Sequence, residues 1–115
     1  MRIPATLALA AVLSAPAFAH HGWSTYDAAK QTKLTGTVTE LKWEQPHAVL
    51  WVTHEGKKVE VWLSPLQRMV DRGLNKEALS VGKTVTVDAQ PSTVKGGEWK
   101  ALAITVDGKD YNLMR

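Results

Sequence analysis

The 115-residue sequence contains no cysteine. That excludes disulfides, thiolate metal sites and cysteine nucleophiles, and it leaves the hydrophobic core alone to hold the fold. No run of Lys or Arg is longer than Lys57-Lys58, so the pI of about 9.3 reflects dispersed, solvated charge and not a stripe for a polyanion. Catalytic signatures are missing as well: there is no G-x-S-x-G, no H-E-x-x-H and no glycine-rich phosphate loop. Hydroxyls fall mostly on strand exteriors, the acids are scattered, and no spacing pairs Asp27 with His47. An enzyme is therefore not expected; the alternative is an accessory to an exported enzyme. Beyond Leu13 there is no long apolar run, so no membrane contact is expected for the rest of the chain. The length leaves room for one domain.

The first nineteen residues have a recognisable order. Met1-Arg2 is a short positive start, Ile3 to Leu13 is an apolar run rich in Ala and Leu, and Ala17-Phe18-Ala19 is an A-x-A triplet. This is the layout of a secretory signal peptide, residues 1–19, and the apolar run is too short to span a bilayer. Cleavage after Ala19 leaves His20 as the first residue. The mature chain is then expected to be soluble in the periplasm or secreted, where nucleic acid is not a natural ligand.

Residues 20–33 are polar, without clear period, and read as an N-terminal arm. Residues 34–115 read as one β-barrel domain. Leu34 to Trp43 is rich in β-branched residues and alternates, with a phase slip near Glu40 that indicates a bulge in a long, curved strand. Gln45-Pro46 ends it. His47 to His54 and Val59 to Leu63 form a hairpin. A two-residue turn at Gly56-Lys57 would set Leu50 opposite Leu63, Val52 opposite Val61 and Trp51 opposite Trp62. Ser64 as cap and Pro65 as first helical residue open a helical stretch to Leu79, interrupted by Gly73. Thr84 to Ala89 and Trp99 to Val106 are strands, and Asp107-Gly108 turns into a short final strand, Lys109 to Leu113. Three strands, a helix and two strands are the element order of a small all-β, five-stranded, OB-like Greek-key barrel.

The four histidines are His20, His21, His47 and His54. As first residue, His20 offers an imidazole and a free α-amine, which close a chelate ring on one metal ion. Both groups lose their protons to a metal near neutral pH. His21 adds a third nitrogen, and the amide between the two a fourth. Nitrogens in a plane suit Cu(II), which heads the divalent affinity order. His47, stiffened by Pro46 at the mouth of the second strand, is the ligand that would complete a histidine brace. His54 beside the hairpin turn reads as exposed. Met69 and Met114 are too far apart for a thioether pair, although one of them could join a mixed site. The expected function is carriage or buffering of a transition-metal ion, most simply copper, through His20, His21 and His47.

Five tryptophans are many for this length. Trp43 reads as core or barrel mouth. Trp51 and Trp62 share the outer face of the hairpin, where an aromatic pair stabilises the sheet. The competing function is a metal-free binding module that uses the Trp51/Trp62 face for a glycan or a periplasmic protein partner, since strands two and three are the usual binding face of an OB-fold.

Ala19-His20-His21-Gly22, Tyr26-Asp27, Thr35-Gly36-Thr37-Val38, Gln45-Pro46-His47, Trp62-Leu63 and Gly82-Lys83-Thr84-Val85 together resemble a group of small exported bacterial proteins of unknown function. Their mature chains start A-H-H-S or A-H-H-G and carry an N-P-H motif. Gln45 replaces the usual Asn, and Gly22 stands for Ser. The resemblance spans nearly all of the mature chain and implies the domain and its shared histidines, not a reaction. Small periplasmic copper carriers with OB-like barrels are a looser analogy, because this chain lacks their methionine pair. Intact-mass spectrometry of the protein recovered from the exported fraction should show His20 as its first residue. Retention of residues 1–19 would remove the α-amine chelate.

Overall fold

The computed structural model describes residues 25–114. The leader at 1–19, its cleavage point, and His20, His21 and Trp23 lie outside the described residues.

Six strands form one sheet that closes on itself. They are β1 (Thr32–Lys42), β2 (Val49–His54), β3 (Lys57–Trp62), β4 (Thr84–Pro91), β5 (Glu98–Val106) and β6 (Lys109–Asn112). The order is β3-β2-β1-β4-β5-β6, and a short parallel pairing of β3 with β5 closes the first five into a barrel. This is the expected OB-like topology. The second edge of β5 is shared: Glu98 to Lys100 pair with β3, and Ala103 to Val106 pair with β6. β1 serves both halves of the barrel because it is long and bent. Its bulge falls between Val38 and Glu40, at the phase slip visible in the sequence.

The β2–β3 hairpin corrects the expected register. Its two-residue turn is Glu55-Gly56, both with positive φ (51° and 80°), and not Gly56-Lys57. Pairing therefore runs Val49↔Trp62, Leu50↔Val61, Trp51↔Glu60 and Val52↔Val59. Trp51 and Trp62 are not opposite each other. They stand diagonally on the outer face. A shift of two residues preserves which side chains point inward, so Leu50, Val52 and Val61 still enter the core, all fully buried.

Between β3 and β4 lie a helix, α1 (Leu66–Asp71), and a single 3-10 turn (Lys76–Leu79). Ser64 does not cap α1. Pro65 occupies the cap position without a side-chain bond, and the Ser64 hydroxyl donates instead to the Leu113 carbonyl at 2.6 Å. Gly73 ends α1 in the left-handed region (φ 85°). Its N–H bonds the Val70 carbonyl and the Leu74 N–H bonds the Met69 carbonyl, which is the Schellman arrangement. This segment inserts Met69, Leu74 and Leu79, fully buried, among the inward residues of the barrel. Trp43 and Trp99 are half-buried and pack against the same core.

Gly36 has no room for a side chain. A Cβ built there would overlap the Thr53 carbonyl oxygen on β2. Gly36→Ala should therefore push β1 and β2 apart and lower stability by about 1–3 kcal/mol, the usual cost of forced overpacking. Equilibrium urea unfolding checks this; an unchanged midpoint would contradict the close approach.

Candidate functional site

The arm is anchored before β1 begins. Tyr26 bridges to Ser92, the Thr93 N–H bonds the Thr25 carbonyl at 2.8 Å, and Asp27 caps a 3-10 turn (Ala28–Lys30) by accepting from the Ala29 N–H. The Asp27 carboxylate is thus engaged locally and not with His47. Tyr26 is only 6% exposed, and its hydroxyl donates to Glu98 Oε2 at 2.5 Å. Glu98 is also buried, and its register partner across the β3–β5 closure is Glu60. The arm therefore lies along the end of β4, and its Tyr26 side chain reaches the start of β5, where the barrel closes.

The next outward pair along that seam is Trp62↔Lys100. Beside it lies a cleft of about 500 Å³ lined by His47, Ser64, Pro65, Arg68, Lys100, Leu113 and Met114. His47 enters it from the residue after Pro46, whose peptide bond with Gln45 is cis. The backbone there is held by mutual bonds between Ala48 and its partners: Leu63 N–H to the Ala48 carbonyl at 2.9 Å, and Ala48 N–H to the Ser64 carbonyl at 3.3 Å. The His47 Nδ1 lies 3.2 Å from the Leu63 carbonyl oxygen. A carbonyl only accepts, so Nδ1 carries the hydrogen, and the lone pair of the neutral ring is on Nε2. The ring meets Trp62 edge-on, with centroids 6.1 Å apart. Trp62 is itself fixed, because its indole N–H donates to Glu60 Oε2 at 2.5 Å.

The other residues raised by the sequence separate. His54 is half-buried, not simply exposed. Its Nδ1 lies 2.9 Å from the Thr35 carbonyl, and it faces Glu55, away from His47 in the fold. Met69 is a core residue, whereas Met114 is exposed at the rim of the His47 cleft. Trp51 lies between Glu40 and Glu60 on neighbouring strands. Trp62 has turned its edge to His47, so the two indoles do not form one stacked platform. Among the described residues, no group of three or more His, Asp or Glu gathers as a metal cage.

Two residues of this cleft, Arg68 and Lys100, had no signal in the sequence. Both are half-buried. Burial, and then the Arg68 guanidinium, lowers the Lys100 amine below the usual lysine range. A helix residue and a strand residue 32 positions apart carry no local pattern that announces such a pairing.

Burial, followed by the hydrogen bond to Glu98 and the charges of Glu98 and Glu60, pushes the Tyr26 hydroxyl well above its ordinary value of 10.0. The neutral phenol is the folded form. Its contribution is complete below about pH 10, where an unfolded tyrosine ionises, and is lost as pH rises beyond that. Tyr26→Phe leaves the buried Glu98 acceptor without its donor and should lower stability by about 1–3 kcal/mol at pH 8. The gap between wild type and variant should shrink above pH 10. Denaturant unfolding at both pH values measures it; equal stability at pH 8 would show that the anchor contributes nothing.

The curated proteins compared with this sequence include none that matches it. A family model described as a family of unknown function, DUF6152, matches residues 8–102, which takes in the anchored arm, the His47 segment and the barrel as far as β5. The chain belongs to this DUF6152 family.

Proposed function

We propose that the His47 cleft is one half of a transition-metal site, most simply for copper, whose other half is the His20-His21 start of the exported chain. The protein would carry or buffer the ion and would not turn over a substrate. The observation that carries this reading is the arm anchor. Tyr26 sits on Glu98, and Lys100 and Trp62 beside His47 lie two residues further along the same strands. At about 3.3 Å per strand residue that is roughly 7 Å. The five residues from His20 to Ser24 can span up to roughly 17 Å when extended. Two imidazoles and an α-amine on that tether would come within reach of His47 Nε2.

The local chemistry fits the ion. A metal-ligating histidine commonly donates its other ring N–H to a carbonyl or carboxylate, which fixes tautomer and ring direction, and the Leu63 carbonyl does this for His47. The cleft presents no carboxylate among the described residues, so the available donors are nitrogens and the Met114 thioether. Such a set favours copper over magnesium or calcium, which take oxygen ligands.

Trp62, edge-on to His47, makes the site self-reporting. Cu(II) added to the mature protein should quench tryptophan emission with a break at one equivalent, and the paramagnetic resonance spectrum should show nitrogen coupling. His47→Ala, and separately one extra residue before His20, should each weaken binding tenfold or more. Trp62→Phe should remove much of the quench while sparing affinity. Equal copper affinity in the extended and native forms would overturn the chelate.

A further inference from the structure

The outer face of β1, β4, β5 and β6 carries a cleft of about 410 Å³, separate from the one beside His47. Its floor is apolar and its walls are polar. A bulge in β5 sets Asp88 opposite Ala103 and Ala89 opposite Ala101, so Leu102 has no register partner on β4. Leu102 and Ala103 therefore both border the cleft, although regular alternation sends neighbours to opposite faces. One row of register partners crosses it: Lys33↔Asp88, Asp88↔Ala103 and Ala103↔Asn112. Two strand spacings separate Asp88 from Asn112, roughly 10 Å, and the residue between them is the small Ala103.

The polar walls are locked from behind. Buried Gln90 donates to Gln31 Oε1 at 3.2 Å, and Gln31 Nε2 donates to Asp88 Oδ1 at 3.1 Å. Across the cleft, the Thr105 hydroxyl donates to Asp110 Oδ1 at 2.6 Å, and Asn112 Oδ1 accepts from the Met114 N–H at 2.9 Å. Each bond holds one atom of a planar group and leaves the other: Oδ2 of Asp88 and of Asp110 as acceptors, Nδ2 of Asn112 as a donor. Lys33 adds an ammonium that pairs with no carboxylate among the described residues.

We propose that this cleft binds a saccharide, with one pyranose unit lying over Leu102 and Ala103. The lining carries both signs of charge, so a small anion would meet Asp88 and Asp110 and a small cation would meet Lys33. A neutral ligand whose groups donate and accept at once suits such walls. A sugar hydroxyl does so: it gives its hydrogen to a carboxylate and takes one from an ammonium or an amide. The C–H face of the ring covers the apolar floor. Polar groups already oriented by Gln90, Thr105 and the Met114 N–H lose little rotamer freedom when the ligand arrives. Neither His47 nor Trp51 borders this cleft, so the site is independent of the metal reading and of the hairpin tryptophans.

The test titrates metal-free protein with cellobiose, maltose and N,N′-diacetylchitobiose, followed by amide chemical shifts, with putrescine and malonate as charged probes. At least one disaccharide should saturate and move the amides of Asp88, Ala103 and Asn112. Asp88→Ala and Asn112→Ala should each weaken binding tenfold or more, and Asp88→Asn, which keeps one acceptor, should recover part of the loss. Ala103→Leu, which fills the floor, should abolish binding. His47→Ala and Trp51→Ala should leave affinity within twofold, whatever the first does to copper. Thermal melts confirm that each variant is folded. The proposal is overturned by no saturation with any of the three sugars, by tighter binding of putrescine or malonate than of every sugar, or by sugar affinity that Ala103→Leu and Asp88→Ala leave unchanged.

Discussion

The closure of β3 on β5 is the contact on which the rest of the structure depends. It consists of three register pairs, Glu60↔Glu98, Val61↔Trp99 and Trp62↔Lys100. The inward pair continues the core. The two outward pairs carry part of the chemistry described above: one sets two carboxylates side by side and the other sets an indole beside an amine. Two carboxylates so close repel each other unless donors reach them. Tyr26 gives its hydroxyl to Glu98, Trp62 gives its N–H to Glu60, and Lys95 approaches both. The arm and the tryptophan are thereby fixed by the electrostatic demand of the seam, and the cleft beside His47 acquires its shape from them.

Much of the barrel was legible in the sequence because its rules are local. Alternation fixes faces, and the phase slip near Glu40 fixes a bulge; Gly73, which reads as an interruption of one helical stretch, instead ends α1. The hairpin register shows where local rules end. Glu55 is an unusual first residue for a turn needing positive φ at both central positions, where Asn or Asp is favoured, so the turn was read one residue late. The resulting shift of two kept every face and changed every partner, and the Trp51–Trp62 opposition disappeared while the core survived. Ser64 illustrates a different competition. As a cap it would satisfy an N–H of α1; in the fold its hydroxyl instead meets a carbonyl 49 residues away. The site was less legible. His47 could be singled out from Pro46-His47, but Glu98 as anchor of Tyr26, 72 residues apart, and Arg68 beside Lys100 depend on the closure itself.

The anchored arm also changes the energetics of the proposed metal site. A histidine pair on a free terminus must be ordered when it binds, and each backbone residue fixed costs roughly 1–2 kcal/mol. Tyr26, Thr25 and Asp27 are already held by bonds to Glu98, Thr93 and the Pro91 carbonyl. These three residues need no further ordering when a ligand binds beside them. A short tether keeps its donors at high local concentration around its anchor, so a weak single ligand such as His47 can act with them as a chelate.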